Sequence, residues 1–346
     1  MAELVLGVGT SHGPLLNTAP EDWGLRAKAD RANKALVYRG TEYAYDDLLA
    51  LRAPGFADEC ALEVRRRRHA ACRADIEELG RRIVAAELDV LVVVSSDHKE
   101  VFDDALLPQF AFYWGDTMRH EPFTQEQLDR MKPGLAVAEV ANVPERSTVR
   151  PGHAALARHL IERTSAAGFD PAASRNLPPG EWGNSGIPHG WGFIFEQLLA
   201  GDADHIPPTV PVFVNTFWEP NPPSAARCFD FGVALGEAIR SFPGHLRVGI
   251  VASGGLSHFV VDEELDRAFL TALAGRDADH LRALPDAVLR SGTSEMRNWI
   301  VVAGALHSSP LSAELVGYEP CYRAEAGTGC AMAFMTWQDD RPEETR

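Results

Sequence analysis

Three short apolar runs in this chain end in a histidine. Leu4–Gly9 leads through Thr10 and Ser11 to His12, and Val90–Val94 leads through Ser95, Ser96 and Asp97 to His98. Leu246–Ala252 runs through Ser253, Gly254, Gly255, Leu256 and Ser257 to His258. A fourth histidine, His189, stands between Pro188 and Gly190 just ahead of an apolar helical pattern, and a carboxylate, Glu295, closes the segment Ser291-Gly292-Thr293-Ser294-Glu295. Neutral imidazole is the commonest metal ligand and the commonest acid/base near neutral pH. Two imidazoles and one carboxylate can hold Fe(II) while leaving positions open for an organic chelate and O2. Zinc accepts the same His2Glu set. One histidine after a strand is an ordinary loop residue, but three at one sheet edge would make a metal or acid/base centre.

The elements that must position these residues follow from hydrophobic periodicity. Val90–Val94 is an unbroken β-branched-rich run, which reads as a strand buried on both faces of a mostly parallel or mixed sheet flanked by helices. Ligands of such α/β folds bind at the carboxyl ends of the strands, where His12, His98 and His258 would fall. Cys72, Ile76, Leu79 and Ile83 recur at helical spacing within 57–87 and predict a helix leading into the Val90 strand. Arg39-Gly40 between two β-prone runs predicts a hairpin within 35–45, and Val210–Phe217 predicts a further strand. Helices are expected over 154–167, 227–241 and 265–289, the last solvent-facing, and a final strand over 330–337. Ahead of the apolar run Trp299–Leu306, Thr293 or Ser294 is expected to cap the helix, with Glu295 in its first turn.

With 346 residues, 45% of them hydrophobic, the chain can bury a large core, and no composition break divides it. A single catalytic domain over 1–337 is expected, with 338–346 a charged disordered tail. The balance of 33 basic against 49 acidic residues, net charge −16, argues against nucleic acid as a partner. The five cysteines show no CxxC spacing, and no apolar run reaches the ~20 residues of a membrane span. A soluble cytoplasmic protein with reduced thiols and no membrane contact is expected.

Thr10-Ser11-His12, Ser96-Asp97-His98, Pro188-His189-Gly190, Gly254-Gly255-Leu256-Ser257-His258 and Gly292-Thr293-Ser294-Glu295 stand in the order of the class III extradiol ring-cleaving dioxygenases. From about residue 2 to 337 the chain resembles the catalytic subunit of protocatechuate 4,5-dioxygenase and its gallate and 3-O-methylgallate relatives, including Arg227-Cys228-Phe229 after a Pro-rich loop. The opening 7–23 is nearer the gallate and methylgallate type. The resemblance implies Fe(II) held by His12, His98 and Glu295, with His258 as acid/base and His189 as a histidine facing the substrate. It implies an aromatic diol and O2 as the small-molecule partners of a homo-oligomer, expected to be a dimer. Tyr322 and Thr328 are its candidate substrate contacts, although 324–328 departs from the segment with which protocatechuate enzymes hold the substrate carboxylate. The small helical subunit of some relatives has no counterpart here, so residues 23–62 or a second copy of the chain would cover the site. The competing readings are a zinc-dependent hydrolase on the same His2Glu set and a non-catalytic binding member of the superfamily.

Overall fold

Val90–Ser96 is buried along its whole length. Successive side chains of a strand point to opposite faces, so Val90, Val92 and Val94 enter one apolar cluster while Leu91 and Val93 enter another. The computed structural model describes residues 1–132, 134–181, 183–201 and 206–339. Its strands are β1 (Glu3–Thr10), β2 (Leu36–Tyr38), β3 (Thr41–Tyr43), β4 (Val90–Ser96), β5 (Phe110–Tyr113), β6 (Thr117–His120) and β7 (Thr148–Pro151). They continue with β8 (Ala172–Ser174), β9 (Thr209–Val214), β10 (Arg247–Ser253), β11 (His258–Val260), β12 (Ser312–Tyr322) and β13 (Thr328–Gln338).

Nine strands form one mixed sheet of an α/β fold, with β1, β10, β4 and β9 as a parallel centre. Helices Ala154–Ala166, Ala225–Ser241, Glu263–Gly275 and Met296–Leu306 cover one face; Leu62–Ala85 and the His189–Phe193 turn cover the other. The expected strands and hairpin are present, and Cys72, Ile76, Leu79 and Ile83 are the buried face of Leu62–Ala85. The helix that follows Glu295 is held at backbone range. A Cβ added at Gly232 would lie 2.0 Å from the Val301 carbonyl oxygen, and one at Gly236 2.2 Å from that of Ala305, so only glycine permits this crossing.

Three expectations are corrected. The helix over 265–289 is two helices, Glu263–Gly275 and Ala278–Arg282, because Arg276 takes a left-handed conformation (φ 54°) and Asp277 caps the second. Nor is it solvent-facing throughout, since Phe269, Leu270, Leu273 and Leu281 are buried. The strand β12 was not anticipated: Gly317 and Pro320 interrupt its pattern, and an edge strand that pairs only with β13 tolerates both. The expected tail begins where β13 ends at Gln338, and its residues 340–346 lie outside the described residues.

Candidate functional site

The register of the parallel centre sets Thr10 beside Ser253 and Ser253 beside Ser95, so β1, β10 and β4 finish level. His12 and His98 each lie two residues beyond their strand. Past that point β13 changes partner along one edge, from β1 at Phe334–Trp337 to β11 at Thr328–Cys330. The segment 254–257 crosses this opening and delivers His258 to the start of β11. Asp97 shapes the loop after β4 by accepting hydrogen bonds from the backbone N–H groups of Glu100, Val101 and Phe102 at 2.9, 3.0 and 2.7 Å.

The three strand-end histidines meet at the Glu295 carboxylate. Oε1 lies 2.8 Å from His98 Nε2 and 3.5 Å from His12 Nε2. Oε2 accepts a 2.6 Å hydrogen bond from the Gly255 N–H and lies 3.6 Å from His258 Nε2. His12, His258 and Glu295 are buried, and only His98 is partly open, with 27% of its side chain exposed.

The hydrogen-bond partners decide the tautomers. The Ser253 hydroxyl has one proton and gives it to the Gly190 carbonyl at 2.7 Å, so its oxygen must accept from His12 Nδ1–H at 2.8 Å. His12 Nε2 therefore carries a bare lone pair, and that buried atom has no hydrogen-bond partner. The Leu256 carbonyl accepts from His258 Nδ1–H at 2.8 Å, leaving Nε2 of this ring bare as well. Two lone pairs thus face a carboxylate with no proton between them, an arrangement that a cation would relieve. Metal bonds of about 2.1 Å at right angles separate neighbouring donors by roughly 3 Å, and 2.8 and 3.5 Å bracket that spacing. Among the described residues no three such side chains are arranged, as they stand, to hold a metal ion; the histidines are gathered around one carboxylate instead.

His189 borders this centre, its ring 4.9 Å edge-on from that of His12 and stacked 5.6 Å from that of His98. Its backbone N–H and Nδ1–H both donate to Glu100, at 2.9 and 2.5 Å. Burial pulls the His189 pKa down, but the Glu100 carboxylate outweighs it and raises the pKa to about 10. For His258 burial wins over the attraction of Glu295, and its pKa is lowered. Burial pushes Glu295 up, but the surrounding histidines hold it well below the usual carboxylate range.

Glu100, Ser253 and Asn298 were not anticipated. Asn298 Nδ2 donates to Ser96 Oγ at 2.9 Å and to the Ser253 carbonyl at 3.1 Å, tying two strand ends together. Thr293 does not cap the following helix. Its hydroxyl accepts from the His258 N–H at 3.2 Å and donates to the His258 carbonyl at 3.1 Å, while the buried Ser294 hydroxyl has no partner. Tyr322 and Thr328 spend their hydroxyls on other carboxylates. The Tyr322 hydroxyl donates to Glu263 at 2.8 Å and its ring stacks on Phe56, whereas the Thr328 hydroxyl donates to Asp30 at 2.6 Å. The segment after Trp23, with Ala27, Leu36, Tyr45 and Leu48, packs on Val260, beside His258.

Residues 64–329 match the family model described as the catalytic LigB subunit of aromatic ring-opening dioxygenase. That span contains His98, His189, His258 and Glu295 but begins after His12. The chain is 32% identical over 199 residues to a gallate dioxygenase of Pseudomonas putida, covering 54% of each chain. It is 29% identical over 215 residues to a 2,3-dihydroxyphenylpropionate/2,3-dihydroxicinnamic acid 1,2-dioxygenase of Comamonas testosteroni, covering 62% of this chain and 54% of that one. The chain thus spans about half the length of the curated relatives it matches.

Proposed function

As this chain belongs to the family of catalytic LigB subunits of aromatic ring-opening dioxygenases, we propose that it is an Fe(II)-dependent extradiol dioxygenase. It opens the ring of a catecholic aromatic acid of the gallate, 3-O-methylgallate or protocatechuate class, and both atoms of O2 enter the product. The observation that carries this reading is the pair of bare Nε2 atoms of His12 and His258 facing the Glu295 carboxylate, with His98 against the same oxygen as His12.

His12, His98 and Glu295 would hold the metal. When bound, Fe(II) supplies Lewis acidity toward two adjacent ring hydroxyls and electron transfer to O2. Glu295 stays ionised and is steadied by the Gly255 N–H, so its charge is aimed rather than free to rotate. His258 is neutral with Nε2 open, the state in which a base takes the phenolic proton and later returns it to the opened ring. His189, kept cationic by Glu100, offers positive charge to the anionic diol from the other side. Burial of these groups keeps bulk water from the oxygen chemistry. The free state of all five thiols agrees with a cytoplasmic enzyme.

The test is metal analysis joined to oxygen uptake. Protein loaded anaerobically should hold about one Fe(II) per chain, as a single facial triad requires, and should consume O2 with a catechol, gallate or methylgallate. His12→Ala, His98→Ala and Glu295→Ala should each empty the site. Full iron and full turnover in all three variants would refute the assignment. Bound zinc with no diol-dependent oxygen uptake would favour a hydrolase.

A further inference from the structure

Arg26 lies in the Gly24–Ala32 helix, in the segment that packs beside β11. Its Nη1 is buried and has no hydrogen-bond partner. Its guanidinium carbon lies 5.8 Å from the centre of the Phe259 ring, and that ring meets the His258 ring at 5.5 Å. A second guanidinium, Arg323, faces the same Phe259 ring at 5.7 Å but is fully engaged: it donates to both oxygens of Asp30, at 2.6 and 2.8 Å. Asp30 also accepts the Thr328 hydroxyl, so this carboxylate is already occupied. Glu139 is a further acid whose charge favours the Arg26 cation. Glu139 accepts from Asn142 at 3.4 Å and makes no ion pair with Arg26 among the described residues.

Leaving a buried charge without its counter-ion is strongly unfavourable, which is why buried guanidinium groups are found paired. Arg26 is half-buried, and its Nη1 is such an unpaired buried group, on a guanidinium that rests against the ring of the residue following His258; burial and Arg323 both weigh against its charge. The planar guanidinium fork matches a carboxylate with two parallel hydrogen bonds. Resting on the ring-opening reading above, we propose that Arg26 is the residue that binds the carboxylate of the aromatic substrate and so selects acid-bearing diols over neutral ones. The hydroxyls of Tyr322 and Thr328, engaged by Glu263 and Asp30, leave that task to Arg26.

The experiment pairs two ligands that differ only in the carboxylate, gallate and pyrogallol, with Arg26→Met and Arg26→Lys. Iron-loaded wild type should favour gallate in kcat/KM. Arg26→Met should lose roughly 10- to 100-fold more on gallate than on pyrogallol, the range expected for a charged hydrogen bond, with the loss chiefly in KM. Arg26→Lys should recover part of it. Benzoate binding to metal-free protein, followed by calorimetry, reads the same site without turnover and should weaken in Arg26→Met by a similar factor. Equal losses on gallate and pyrogallol, or benzoate binding that is absent from wild type or unchanged in Arg26→Met, would overturn the proposal. Should wild type open neither diol while benzoate still binds through Arg26, the ring-opening reading fails and the carboxylate site stands.

Discussion

Replacing Ser253 with alanine should cost metal affinity although the side chain would not touch the metal. Its hydroxyl is clasped between the Gly190 carbonyl, to which it donates, and His12 Nδ1–H, from which it accepts. Ser253→Ala removes both contacts inside a fully buried strand end. His12 is then free to turn or to move its proton to Nε2, and either change withdraws the lone pair that faces Glu295. Losing a group that orients a metal-bound histidine typically costs about 10- to 100-fold in affinity, or about 1.4–2.8 kcal/mol. The stranded Gly190 carbonyl and His12 N–H add roughly 1–3 kcal/mol each to the instability of the metal-free fold. These effects are separable. Metal affinity is measured by titrating apoprotein anaerobically with Fe(II), and fold stability by urea unfolding of the same apoprotein. The expected result is a weaker metal midpoint at temperatures where both proteins remain folded, with about one iron per chain recovered at saturating Fe(II). If Ser253→Ala binds iron as wild type does while His12→Ala does not, the tautomer argument is wrong.

His258→Phe should keep its iron and bind the diol yet turn over about 10²–10⁴-fold more slowly; wild-type oxygen consumption in this variant would remove the acid/base role. Asp266 accepts from the Ser257 N–H at 2.9 Å, the Ser257 hydroxyl at 2.6 Å and the Tyr318 hydroxyl at 2.9 Å, and so holds the turn into His258. Asp266→Asn keeps one acceptor for these three donors, and each donor left stranded should cost about 1–3 kcal/mol of stability. Thermal unfolding reads that loss, and a slower kcat at unchanged iron content reads the displaced His258. Unchanged stability and turnover would mean that the turn is held by other contacts.

The convergence of the strand-end histidines was legible because apolar runs bounded by polar residues make buried strands, and parallel strands bring their ends together. That reasoning reached His12, His98 and His258 without any knowledge of what lay between them. It failed where tertiary contact overrides local preference. Thr293 has the residue type and position of a helix cap, yet its hydroxyl is used by His258, from a strand 35 residues earlier. Arg26 reads as one more charge on an exposed helix, and nothing nearby in sequence says that its guanidinium turns inward against Phe259. β12 was hidden because its glycine and proline are penalties only for a strand paired on both sides.

The roles of the histidines were the least legible, for a chemical reason. An imidazole's function is decided by what binds its far nitrogen. A serine hydroxyl already committed to Gly190 makes Nδ1 of His12 the donor and leaves its Nε2 the bare lone pair that the proposed ligand role needs. A backbone carbonyl does the same for His258, but at 3.6 Å from the carboxylate and under burial that keeps the ring neutral, so that nitrogen suits a proton rather than a metal. Glu100 does the opposite for His189, raising its pKa to about 10 and favouring the cationic ring that the proposed substrate-facing role uses. Ser253, Leu256 and Glu100 lie 241, 2 and 89 residues from the rings they govern. Only the folded chain, which brings Ser253 and Glu100 to these rings, gives the similar-looking histidines different hydrogen-bond partners.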